Sequence, residues 1–112
     1  MTGTEAIAKA NQLLNDEGSN PHVLITHWYS YVDAAVKFFA KNHPESLSGS
    51  TIVTSAPAAI TKDNIAEELP TTSDFDTGFV RFIGQMALDE DSEASGNREL
   101  SNHYLNKVEA GV

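Results

Sequence analysis

Apolar residues recur at helical spacing in four separate runs of this chain, and one run, from Pro21 to Asn42, is apolar around most of its girth. Such a helix cannot stand alone in water; other helices or neighbouring chains must cover it. Leu24, Trp28, Tyr31, Val32, Ala35, Phe38 and Phe39 mark the face expected to be buried, widened by Val23, Ile25, Tyr29 and Val36. Asn20 and Pro21 suit its cap and first turn. His43-Pro44 stops it, because the residue before a proline is pushed out of the α region. The β-branched Val23 and Ile25 are mediocre helix formers and allow a start as late as Thr26.

The other three runs supply the cover. A first helix is expected over about 4–16, with Ala6, Ile7, Ala10, Leu13 and Leu14 as one stripe. Thr2 and Glu5 stand at capping-box spacing, and Gly18 is a natural stop. A third helix is expected over about 73–90, opened by Thr71, Thr72 or Ser73. Phe75, Phe79, Phe82, Ile83 and Met86 line its apolar face, with Val80 and Ala87 beside them. A fourth, over about 96–109, carries Leu100, Tyr104, Leu105 and Val108. Trp28 to Phe39 and Phe75 to Phe82 concentrate the aromatics, so those two segments are expected to meet. Residues 44–70 hold three of the four prolines and read as loop around short extended pieces. Thr51–Thr54 and Ala58–Lys62 flank Ser55-Ala56-Pro57 as the arms of a possible hairpin. A two-stranded ribbon is marginal alone and has to lean on something. The expected fold is mostly α: one domain over 1–112, a bundle of about four helices, with a small β-hairpin or extended loop at about 50–62 between helices 2 and 3.

Composition narrows the function classes. The chain has 112 residues and no cysteine, which removes disulfides, thiolate zinc sites and a cysteine nucleophile together, and suits a reducing cytoplasm. MTGTEAIAKA lacks the basic start and apolar run of a signal peptide, and no apolar stretch nears the roughly 20 residues that span a bilayer, so neither export nor a membrane partner is expected. Net charge is −9, with the seven basic residues scattered singly, the reverse of a surface that grips nucleic acid. A soluble acidic surface is the plainest reading. Two sharper ones stay open: a DNA mimic, or a surface past which DNA slides without sticking.

No constellation for chemistry stands up. Asp89, Asp91 and Glu93 imitate the first positions of a calcium loop, but Ala94 replaces the turning glycine and Leu100 the bidentate glutamate. The acidic turn Asp89, Glu90, Asp91 and Glu93 is therefore expected as exposed acidic surface, at the wrong end of its helix for the macrodipole. His22, His27, His43 and His103 do not pair at the spacing of a helical zinc site. No G-x-S-x-G elbow occurs, no glycine-rich phosphate cradle follows a strand, and Glu67-Glu68 and Asp74-Asp76 have no apolar setting to raise a pKa. No catalytic residue, metal site or cofactor is expected, and the chain reads as a non-enzyme. Trp28 reads first as core, with a partner anchor as the alternative.

A short helix ending in Leu13-Leu14-Asn15-Asp16, a Trp28-bearing second helix closing near a proline, and a middle segment with extended pieces follow one another in order. Leu69-Pro70 then leads into a third helix ending in Ala87-Leu88-Asp89-Glu90-Asp91, before the Asn97 to Tyr104 segment. This succession, over nearly the whole chain, resembles the head-to-tail adaptor proteins of tailed bacteriophages, also called head-completion or connector proteins. The resemblance implies a structural virion protein, assembled in the host cytoplasm and placed at the head–tail interface. It implies a homo-oligomeric ring beneath the portal protein that extends the DNA channel and docks the tail or a second adaptor or stopper protein. DNA would pass nearby without specific binding. On that reading Ile52, Val53, Ile60 and Trp28 are candidate subunit-interface residues. The alternative is a small acidic phage-encoded binding protein or inhibitor that mimics DNA.

Overall fold

The computed structural model describes residues 1–18, 21, 23–43, 59–90 and 97–109. It is a mostly helical bundle of four α-helices: α1 (Gly3–Asp16), α2 (Ile25–Asn42), α3 (Asp76–Glu90) and α4 (Asn97–Glu109), with a 3-10 turn, Ser73–Phe75, leading into α3. No strand occurs among the described residues.

α1 starts where its sequence says it should. The Thr2 hydroxyl accepts from the Glu5 N–H (3.1 Å) and the Glu5 carboxylate accepts from the Thr2 N–H (3.2 Å), which satisfies two of the amides a helix start leaves open. At the other end Gly18 takes a left-handed φ of 78° and its N–H donates to the Asn15 carbonyl.

α2 begins later than Asn20-Pro21 suggests. Leu24 is its N-cap, in extended conformation and with no side-chain cap, and the first turn closes by His27 N–H to the Leu24 carbonyl (2.9 Å). Asn20 lies outside the described residues. The start falls among the β-branched residues that resist helix. Leu24 consequently never joins the helical face assigned to it and stands in solvent.

α3, not α2, is the centre of the bundle. It packs against each of the other three helices and is buried on nearly every side, including Gly78, Gly84 and Gln85. Leu14 and the Tyr104 ring both lie beside Gly84. The aromatic segments meet as their spacing suggests: Phe39 stacks on Phe79 (6.0 Å between ring centroids) and Phe38 meets Phe82 (5.0 Å). The end of α2 therefore lies by the start of α3, while His27 near the start of α2 reaches Glu90 at the end of α3. Those contacts make α2 antiparallel to α3, and Gln85 to Ser101 with Gly84 to Tyr104 make α4 antiparallel as well.

The expected hairpin or extended loop at about 50–62 is described only over residues 59–62. Residues 59–62 form no strand; they lead into successive turns in which the Thr61 N–H donates to Asn64 Oδ1 (2.7 Å) and Asn64 Nδ2 donates to the Ala59 carbonyl (2.9 Å). An asparagine side chain here offers the backbone a closer partner than a second strand would. Residues 51–58 lie outside the described residues. Extended pairing is found instead at the N-terminus. Thr2 bridges Glu68 antiparallel, the Leu69 N–H donates to the Met1 carbonyl (3.0 Å), and the Thr4 N–H donates to the Ile65 carbonyl (3.0 Å).

Candidate interaction surfaces

Trp28 is buried within the single chain, edge-on to Tyr31 (5.9 Å, 75°), and serves as a core residue. Ile60 is half-buried against that core, and its N–H donates to Asp33 Oδ1 on α2 (2.9 Å). Asp33 also accepts from Lys37 Nζ (2.8 Å). Burial works to raise the Asp33 carboxyl, but the bonds from Lys37 and Ile60 outweigh it and hold it below the usual carboxylate range. Ile52 and Val53 lie outside the described residues.

The acidic turn is partly knitted into the fold. Asp89 accepts from the Ser101 hydroxyl and from Gln85 Nε2, and Gln85 also reaches Ser101 Oγ (3.5 Å), so α3 and α4 share a polar knot. Gln85 and Ser101 are both buried, where unpaired amides and hydroxyls are costly. Glu90 accepts from His27 Nδ1 and from the Tyr31 phenol. Burial, then that hydrogen bond, pushes the Tyr31 phenol well above its ordinary pKa. Both residues remain exposed in part, yet their carboxylates have partners, which offsets their unfavourable place at a helix C-terminus. Asp91 and Glu93 lie outside the described residues.

Of the histidines, His43 packs its ring among Phe38, Phe39 and Phe75, and His103 lies beside Tyr104. His22 is outside the described residues. Among the described residues no group of His, Asp and Glu is placed to hold a metal ion, and no helix is long and apolar enough to cross a membrane.

Two surface features stand out. The first is apolar: Leu24 is 67% exposed and Ile25 58% exposed at the start of α2. Helical periodicity placed Leu24 on the buried face, and only the β-branched neighbours hinted otherwise. The second is a shallow groove of about 310 Å³ between α1 and α3. Its floor includes Leu13 and Val80, and its rims carry Lys9 and Asp16 on α1 and Asp76 and Arg81 on α3. Spacing alone relates neither pair to the other. Set beside known proteins, the chain matches no family model, no curated protein and no solved structure.

Proposed function

We propose that the chain is a structural subunit of a tailed-phage head-to-tail adaptor, a self-assembling ring beneath the portal that extends the DNA channel and receives the tail. The observation that carries this reading is the bare apolar step of Leu24 and Ile25 on an otherwise charged chain of net charge −9. Large aliphatic side chains left more than half exposed and adjacent suit burial by a neighbouring subunit. The acidic balance suits a lumen through which DNA moves with little adhesion. A DNA mimic would need its carboxylates free in a row, and Asp89 and Glu90, though exposed, are hydrogen-bonded to Gln85, Ser101 and His27 of the same chain, so the adaptor reading is the better supported.

Two measurements test it. Mass spectrometry of purified particles is expected to find the protein in fixed stoichiometry with portal, and its steady absence from particles overturns the reading. Leu24→Asp with Ile25→Asp is expected to leave the circular dichroism and melting temperature nearly unchanged, since exposed positions tolerate substitution, while abolishing incorporation. Incorporation at wild-type level by that folded variant removes the apolar step from the argument.

A further inference from the structure

We propose that the groove between α1 and α3 is a contact through which two copies of this chain pair about a two-fold axis. Four charges frame the groove. α1 and α3 run side by side in the same direction: Asp76, the first residue of α3, acts electrostatically on the Met1 amino group beside the start of α1, and Gly84 further along lies against Leu14. Lys9 therefore shares one end of the groove with Asp76, and Asp16 shares the other with Arg81. Charge alternates in sign around the four corners. No ion pair joins any of the four to another described residue; Asp76 is half-buried, with Oδ1 turned away from solvent, so the rest of its carboxylate forms that corner.

That alternation selects the partner. A uniformly acidic or uniformly basic ligand gains at two corners and loses at the other two. A second copy gains at all four. Turned about an axis along the helices, it sets Lys9 against Asp76 and Asp16 against Arg81. Turned about an axis across them, it sets Lys9 against Asp16 and Asp76 against Arg81. An isologous contact requires self-complementarity of this kind. Leu13 and Val80 between the rims give the contact an apolar centre.

The net charge of −9 on each copy opposes pairing, and range decides between the two effects. At physiological ionic strength the Debye length is about 8 Å, so carboxylates far from the groove are screened while corner charges in contact are not. Exposed ion pairs are individually weak, so the pair is reversible.

Sedimentation equilibrium over a range of concentrations at physiological salt tests the proposal. Wild type is expected to show a monomer–dimer equilibrium. Lys9→Glu with Arg81→Glu makes every corner negative, and Asp16→Lys with Asp76→Asn leaves the corners positive or neutral. Each variant alone is expected to associate about tenfold or more weakly, and an equimolar mixture of the two to regain pairing as a heterodimer. Wild type that stays monomeric to its solubility limit overturns the proposal, as does unchanged association of both variants or failure of the mixture to pair. Circular dichroism checks folding. If a double variant does not fold, Lys9→Glu is mixed in turn with Asp16→Lys, which restores pairing about the axis across the helices, and with Asp76→Lys, which restores it about the axis along them; failure of both mixtures overturns the proposal. The contact uses residues other than Leu24 and Ile25, so its failure leaves the adaptor reading untouched.

Discussion

Gly3 and Gly84 show how two glycines in helices differ once their neighbours are known. A Cβ on Gly3 would lie 2.6 Å from Ile65 Cδ1 and 2.7 Å from the Ile65 carbonyl oxygen, where the chain pairs residues 1–4 with 65–69. The backbone oxygen cannot swing away as a side chain can. Gly3→Ala is therefore expected to destabilise by about 1–3 kcal/mol, the range for overpacking. At Gly84 the nearest atoms, on Leu14 and Tyr104, lie 3.5 Å from the same ideal position, an ordinary contact. Gly84→Ala is expected to stabilise by up to about 1 kcal/mol, because alanine costs less backbone entropy in a helix. Urea unfolding of both variants checks the contrast, and equal shifts of the two midpoints in the same direction would refute it. Neither difference was legible in sequence. The capping pair Thr2 and Glu5 was, because its partners sit three residues apart and need no tertiary contact.

α2 and α3 carry the next level. α2 is tied to the segment after it through Asp33, which accepts from the Ile60 N–H and from Lys37. A carboxyl held below its ordinary pKa stabilises the fold above its unfolded-state value, about 3.9. That contribution fades as pH falls through the lower folded-state value. Asp33→Asn is thus expected to cost about 0.5–1.5 kcal/mol near neutrality, with solvent around the exposed Lys37 keeping the ionic part small. The gap between variant and wild type should narrow as pH drops below about 4. Melting curves between neutral and acid pH would show it; a gap independent of pH rules out the carboxylate as the cause. Helix ends were read within a few residues wherever a local signal existed, as at Gly18 and His43. At the start of α2 the sequence offered Asn20-Pro21 as cap and first turn or a start as late as Thr26, and the helix begins at Ile25, near the later choice, with Leu24 extended as its cap.

At the scale of the whole molecule, α3 holds the bundle together because each of the other helices rests on it. Phe79 is fully buried and stacked on Phe39, so Phe79→Ala is expected to cost about 3–5 kcal/mol, a large share of the stability of a domain this size. Leu105→Ala, on the half-buried flank of α4, should cost markedly less. Chemical denaturation of the two variants tests which helix is central, and similar losses would contradict this hierarchy. Sequence alone established four helical segments, the two aromatic runs that meet, and the absence of cysteine chemistry, since these follow from periodicity and composition. Only tertiary structure decided that α3 is the central helix. Gly78, Gly84 and Gln85 dilute its apolar pattern, yet they are buried because neighbouring helices close over them. Tertiary structure likewise drew Asp89 and Glu90 to Ser101, His27 and Tyr31, and set Lys9 and Asp16 beside Asp76 and Arg81. The physical reason is the same in each case. Periodicity records which face of a segment turns from water, but which polar group meets which depends on how helices far apart in sequence are laid together.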